Sequence, residues 1–242
     1  MVSSSAKLDY QMGYLVVRKD TTTKIHLGEI RTLLIESTAV SLTAALLSEL
    51  VKKKVKVIFC DEKRNPSAEM MPYYGSHDCS LKIKRQTAWS DDIKGAVWTE
   101  IVFEKIRQQK CLLQELGKNE AMLLQEYLSE IEYGDATNRE GHAAKVYFNA
   151  LFGMDFSRSQ DCPINAALNY GYSLMLSAIN REIVMNGYIT QLGLFHDNMF
   201  NQFNLASDLM EPFRILVDRI VVKNKPEKFE RAVSCACRSK GM

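Results

Sequence analysis

The strongest constraint on this chain is a change of hydrophobic period after Cys60. Before it, apolar residues come in short alternating runs. From Trp89 onward they recur at helical spacing. A run of strands followed by a run of helices reads as an α+β fold, a small β-rich N-terminal domain ahead of a larger all-helical C-terminal one. In the first stretch, Tyr14-Leu15-Val16-Val17 ends in the polar turn Arg18-Lys19-Asp20, Ile25 and Leu27 alternate with polar neighbours, and Arg31 to Ile35 is apolar. These are half-buried strands, two of them a hairpin. Ser41 caps a helix through Leu42, Ala45, Leu46 and Leu50, and Val55 to Phe59 is a further strand.

Asp61 to Ser80 carries Asn65-Pro66, Met71-Pro72 and Gly75 and reads as a linker. Helical patterns follow over Trp89–Gln109, Met122–Ile131, Glu140–Phe152 and Asn165–Met185, the last closed by Asn186-Gly187. Leu205, Leu209, Phe213, Leu216, Val217 and Ile220 mark one more helix. The domains expected are residues 1–78, with the linker, and residues 79–242. Within the second, residues 223–242 form an atypical tail, without periodicity after Phe229 and expected to be either disordered or a truncated reading.

Composition removes several classes. The net charge of +2 is too small to announce a nucleic-acid binder, though a local basic face fits inside a balanced total. Cys60, Cys79, Cys111, Cys162, Cys235 and Cys237 are scattered, with no paired CxxC spacing, which argues against a structural zinc site. Scattered cysteines suit a reducing, cytoplasmic setting. The polar stretch Met1 to Asp9 is unlike a signal peptide, and no apolar run reaches the ~18 residues of a membrane span.

The chemistry concentrates in two places. Thr137-Asn138-Arg139-Glu140-Gly141-His142-Ala143-Ala144 puts a carboxylate at a helix head among small residues. Thr137-x-x-Glu140 also fits a capping box, in which the glutamate answers a backbone N–H. The small residues Gly141, Ala143 and Ala144 would instead let a phosphate approach. Glu140 and His142, two apart, point to different helix faces and do not easily share an ion. Further on, His196 sits in Gly193-Leu194-Phe195-His196-Asp197-Asn198, either as a hydrogen-bonded structural histidine or as a metal ligand. Asp208 and Glu211 share a helix face, and Pro212 places them in a first turn. There they favour the helix dipole or supply a ligand pair. Arg139, Lys145, Arg158, Arg181, Arg214, Arg219, Lys223 and Lys225 form an ordinary solvated surface or, if they share the glutamate's face, a phosphate track. Tyr147, Tyr170 and Tyr172 read as core residues rather than base stackers.

Asn138-Arg139-Glu140-Gly141-His142-Ala143-Ala144, Gly193-Leu194-Phe195-His196 and Phe203 to Arg214 (with Ser207-Asp208-Leu209-Met210-Glu211-Pro212 at its centre) together resemble a known family. Ile58-Phe59-Cys60-Asp61 to Met71-Pro72-Tyr73-Tyr74-Gly75 resembles the same family's interdomain connection. It is the CRISPR-associated endonuclease that acts as integrase in spacer acquisition, in its type II form. The likeness runs from about Lys7 to about Val222. It implies that the chain begins after the family's first strand and ends before its last helices. The resemblance further implies a homodimer joined through its N-terminal domains, double-stranded DNA as substrate, and the smaller universal adaptation protein as partner. It implies a metal site of Glu140, His196 and Glu211 holding Mg²⁺ or Mn²⁺, with Asp208 beside it. The expected reaction is attack of a 3′-OH from a captured fragment on a repeat phosphodiester. A non-catalytic DNA-binding scaffold, and a nuclease acting on branched DNA, are the competing expectations.

Overall fold

The β-rich part begins earlier than the sequence suggests. In the computed structural model, which describes residues 1–73, 78–224 and 226, strand β1 spans Ala6–Gln11. It is followed by β2 (Tyr14–Arg18), β3 (Thr22–His26), β4 (Thr32–Ile35), β5 (Val40–Leu42), helix α1 (Ala44–Lys52), β6 (Lys56–Cys60) and β7 (Pro66–Met70). No strand is expected ahead of Gly13 because Lys7 and Asp9 make the stretch look polar. Ala6 and Leu8, alternating with them, are buried. Met12 and Gly13 both adopt positive φ, the turn geometry that joins two strands through two residues.

Two sheets result, ordered β3-β2-β1-β5 and β4-β6-β7. β1 is antiparallel to β2 and parallel to β5, and β4 is parallel to β6. Leu8, Leu15, Leu27, Leu33, Ile35, Leu46, Leu50 and Val57 form their common core. The helix after β5 is capped by Thr43, whose Oγ1 accepts the Leu46 N–H at 3.3 Å, rather than by Ser41. Ser41 and Leu42 are occupied in β5, paired to Lys7 and Leu8. Asp61 to Ser80 is not a plain linker either. Asp61 Oδ1 accepts the Asn65 N–H at 2.8 Å and Arg64 takes a positive φ, so the Asn65-Pro66 signal marks a turn into β7. Pro66 is tolerated there because β7 is an edge strand. Tyr74, Gly75 and His77 lie outside the described residues.

The chain divides into two units, Met1–His77 with Val184–Asn186, and Asp78–Ile183 with Gly187–Met242. The second holds α2 (Cys79–Thr87), α3 (Asp91–Glu115), α4 (Ala121–Ser129), α5 (Arg139–Phe152), α6 (Pro163–Met185) except its last two residues, α7 (Asn204–Met210) and α8 (Ile215–Asn224). Strands first and helices after make the fold α+β. Helix α3 is the central post, packed against α4, α5, α7 and α8. Ser90 caps it, accepting the Ile93 N–H at 3.3 Å, with Asp91 and Asp92 in its first turn. Trp98, Val102, Ile106 and Leu113 on its inner face pack with Leu124, Ala143 and Tyr147.

Helix α6 ends as its Asn186-Gly187 signal suggests. Gly187 takes φ +82° and Tyr188 N–H bonds back to the Ile183 carbonyl at 3.1 Å. The single helix expected over Leu205 to Ile220 is broken in two by a 3₁₀ turn at Glu211–Phe213. Pro212 lies in that turn, where its missing N–H costs no helical hydrogen bond. Asp208 therefore lies in the last turn of α7, not in the first turn of a helix. Among the described residues, no helix is long and apolar enough to cross a membrane. Lys225 and residues 227–242, with Phe229, Cys235 and Cys237, lie outside the described residues.

Candidate active site

Helix α5 is entered through an unusual cap. Gly134, Asp135 and Asn138 all carry positive φ. The buried Asp135 carboxylate takes the N–H groups of Arg139 at 2.8 Å and Glu140 at 3.1 Å, and Asn138 Oδ1 takes that of Gly141 at 3.3 Å. The orphan donors of the first turn are thus satisfied without Thr137 or the Glu140 side chain, and the capping-box alternative does not form. A Cβ on Gly141 would stand 2.8 Å from Asn138 Oδ1. Its smallness therefore makes room for the cap, not for a ligand. Ala144, one turn further, lines the cleft beside Glu140.

Freed from capping, Glu140 meets Lys105. The Lys105 ammonium, from the middle of α3, bonds Glu140 Oε1 and Glu211 Oε2 together. Glu211 is presented by the 3₁₀ turn between α7 and α8, and its side chain is 6% exposed. Arg214, three residues on, donates from Nε to its other oxygen at 2.8 Å, with Nη2 in ion-pair contact with the same oxygen. Burial pushes the Glu211 carboxyl up, but the charges and hydrogen bonds of Lys105 and Arg214 outweigh it and hold the group below the usual range. Behind them, Asp218 of α8 is buried and accepts hydrogen bonds from Tyr147 Oη at 2.9 Å and from Tyr172 Oη. Burial raises its carboxyl to about 6 against those bonds. The resulting cleft, about 210 Å³, is also lined by Gln109, Phe148 and Arg158.

His196 is organised separately, by Asp208. The fully buried carboxylate of Asp208 accepts the backbone N–H groups of Leu194 (2.6 Å), Phe195 (3.2 Å) and His196 (3.1 Å). It also holds His196 Nδ1 at 2.5 Å. A Cβ on Gly193 would lie 2.3 Å from the His196 carbonyl oxygen, so this loop closes only on a glycine. Trp98 of α3 stacks flat on Phe195 at 4.3 Å and meets the His196 ring edge-on at 5.9 Å. The Asp208 hydrogen bond raises the imidazole pKa against partial burial, aided by the charges of Asp208 and Glu211. With Nδ1 engaged, Nε2 is the nitrogen left for a ligand or substrate. Asp208 is thus the residue that orients the histidine.

Glu140 and Glu211 therefore meet on one cation, whereas His196 is not among the residues that line their cleft; it lines a neighbouring one with Trp89, Lys94 and Leu194. Among the described residues, no group of three or more His, Cys, Asp or Glu side chains is arranged to hold a metal ion. The Lys105 ammonium takes the place between the two carboxylates. Two glutamate oxygens converging on a positive charge suit a hard divalent cation, and the Asp208-held imidazole is the candidate nitrogen donor. His142 turns away, its ring lying against Tyr127.

Of the eight basic residues considered, Arg158 and Arg214 line the cleft. Arg139, Arg181 and Arg219 pair with Glu130, Glu182 and Glu115 instead. Lys105 and Asp218 are not singled out by sequence motif. The available signal was a charged residue inside an apolar stripe. Lys105 stands seven residues after Trp98 and next to Ile106, and Asp218 lies between Val217 and Val221. Tyr147, Tyr170 and Tyr172 are buried as expected, the first and last as donors to Asp218.

Residues 1–232 match the family model described as CRISPR associated protein Cas1. The chain is 35% identical over 224 residues to the CRISPR-associated endonuclease Cas1 of Neisseria meningitidis serogroup C (strain 8013), covering 92% of this chain and 74% of that protein. Its fold matches a Cas1 protein from Thermotoga maritima with a TM-score of 0.80 at 17% identity, over 98% of this chain and 86% of the other. It also matches a casposase bound to its integration product with a TM-score of 0.77 at 21% identity, over 92% and 71% of the two chains.

Proposed function

The chain belongs to the Cas1 family of CRISPR-associated proteins, and from that premise we propose that it is a metal-dependent DNA endonuclease and integrase that inserts captured DNA fragments into a CRISPR array. The observation that carries this reading is the convergence of Glu140, from α5, and Glu211, from the turn between α7 and α8, on one positive charge in a cleft that also holds Arg158 and Arg214. The endonuclease name of the meningococcal relative supports nuclease chemistry, and the fold shared with a casposase bound to an integration product supports strand joining.

Glu140, Glu211 and the Nε2 of His196 would hold the metal. Mg²⁺ or Mn²⁺ bound there supplies Lewis-acid chemistry toward a phosphodiester. The protein's own groups do the rest. Arg158 and Arg214 offer guanidinium charge to phosphate oxygens. Asp208 holds His196 in one tautomer and orientation. Lys105 and Arg214 keep Glu211 ionised.

In the reaction, the 3′-OH oxygen of the fragment forms a bond to a repeat phosphorus and gives up its proton. The bond from that phosphorus to the repeat's 3′ oxygen breaks, and the released oxygen takes a proton. One phosphodiester replaces another, so no external energy source is needed. Insertion at both repeat ends calls for two catalytic subunits held at a fixed spacing, so oligomerisation is part of the mechanism: homodimers on either side of the smaller adaptation protein, acting on double-stranded DNA in the cytoplasm.

The test is a strand-transfer assay with the purified protein, the smaller adaptation protein, Mn²⁺, a short duplex with free 3′-OH ends and a leader–repeat target. Joined product that disappears in Glu140→Ala and in His196→Ala, with folding intact, is expected. Duplex binding without product under any metal would overturn the catalytic reading in favour of a DNA-binding scaffold.

A further inference from the structure

Lys105 has no part in the metal-ligand set just proposed, yet it sits at the centre of that set's two carboxylates. Its side chain is 9% exposed, and its ammonium bonds one oxygen of Glu140 and one of Glu211. The two glutamates differ in their other support. Glu211 is also gripped by Arg214 through its second oxygen, whereas the only hydrogen bond to the Glu140 carboxylate among the described residues is the one from Lys105. Glu140 is the more exposed of the pair, at 29%, and so faces the opening of the cleft.

We propose that Lys105 is a positioning residue, an internal counter-cation that holds Glu140 and Glu211 at a common point and competes with the divalent cation for them. The inference rests on the metal reading given above. Two carboxylates drawn to one point in a mostly buried cleft repel each other strongly unless a positive charge lies between them. Lys105 supplies that charge when no metal is bound. A divalent cation at the same point must displace the ammonium from at least one carboxylate, and the weakly supported Glu140 is the one that exchanges. The lysine stem is flexible and its head is a compact charge with three donors, so it moves within the cleft without unfolding α3. Arg214, hydrogen-bonded through Nε to Glu211 and lying over the Tyr172 ring at 4.6 Å, is not free to move in this way.

The consequence is a trade. Lys105 keeps the site assembled in the absence of metal and weakens metal binding by competing for the same oxygens. The neutral, near-isosteric Lys105→Met should bind Mn²⁺ at least about tenfold more tightly than wild type, because no ammonium has to be displaced. It should melt at a lower temperature in chelator, and its melting temperature should rise more on adding Mn²⁺ than that of wild type. Lys105→Arg, which keeps the charge, should retain the stability in chelator.

The experiment is a Mn²⁺ titration followed by electron paramagnetic resonance, alongside thermal melts in chelator and in millimolar Mn²⁺. It uses the full chain as wild type, Lys105→Met, Lys105→Arg and Glu140→Gln. Tighter Mn²⁺ binding and a larger metal-induced shift in Lys105→Met support the proposal. So does a Lys105→Met protein that folds only when Mn²⁺ is present. Wild-type Mn²⁺ binding lost in Glu140→Gln but unchanged or weaker in Lys105→Met overturns the competition while leaving the metal site standing. No Mn²⁺ bound by wild type, or binding unaffected by Glu140→Gln, overturns the metal reading and this inference with it.

Discussion

The carboxylate of Asp208 holds Nδ1 of His196 at 2.5 Å and also accepts that residue's own backbone N–H at 3.1 Å. One buried side chain thus fixes both the ring and the loop that carries it. An asparagine in its place has one acceptor oxygen and would turn an N–H₂ group toward backbone donors. Asp208→Asn should therefore lower strand transfer on the order of 10- to 100-fold, as losses of residues that orient a ligand do. It should also lower the His196 pKa, which this contact holds above the ordinary 6.5. A folded-state pKa raised in this way contributes stability that is fully present below the unfolded value and lost as pH rises through the folded one. An imidazole titration followed by NMR, together with the strand-transfer rate, reads both effects. An unchanged pKa would remove Asp208 from this role.

The Asp218 carboxyl is shifted in the opposite direction to that of Glu211. Its folded value of about 6 stands above the ordinary 3.8 because it is fully buried. Between those values the folded state binds more protons than the unfolded one. This group's contribution to stability therefore falls as pH rises from about 4 to about 6 and is level above. Asp218→Asn should remove that component, so that the difference in stability between wild type and variant changes across this window and is flat above it. Denaturant melts of both proteins at half-unit steps from pH 4 to 8 measure the difference directly.

The cap on α5 predicts a modest stability cost with a focused consequence. Asp135→Ala leaves the N–H groups of Arg139 and Glu140 without their acceptor. The expected loss is about 0.5–2 kcal/mol, the usual range for an N-cap deletion. In a chain of this size that is a fall in melting temperature of roughly 1–8 °C. Strand transfer should suffer too, since Glu140 stands in the turn that frays. A melting temperature equal to wild type would show the cap to be redundant with Asn138.

Helices α6 and α8 touch at Gly171. A Cβ there would lie 2.4 Å from Cγ1 of Val217, a stiff β-branched side chain that is itself buried. Gly171→Ala should destabilise by about 1–3 kcal/mol through overpacking. Gly171→Ala with Val217→Ala should recover part of that loss. Thermal melts of the two variants check both statements, and a stable single variant would mean the helices separate more easily than their packing implies.

Much of this protein was legible in the linear sequence. The change of period after Cys60 falls one strand short of where strands give way to helices, since β7 follows it, and the stripes through α3, α5 and α6 need only local spacing to be read. Glu140, His196 and Glu211 stand out because their chemistry and motifs are local too. What the sequence hid follows from contacts that local pattern does not encode. β1 and β7 were obscured by polar or proline-bearing stretches whose strand character comes from pairing with β2 and β6. The break at Glu211–Phe213 looked like continuous helix because apolar spacing carries across it. Thr137 and Glu140 matched a capping box, but Asp135 and Asn138 took the cap and left Glu140 for Lys105. Lys105 and Glu211, 106 positions apart, meet only because α3 packs against the turn between α7 and α8. Sequence chemistry named the carboxylates. Tertiary packing chose the cation between them, because the repulsion of two buried charges is felt only once the chain has brought them together.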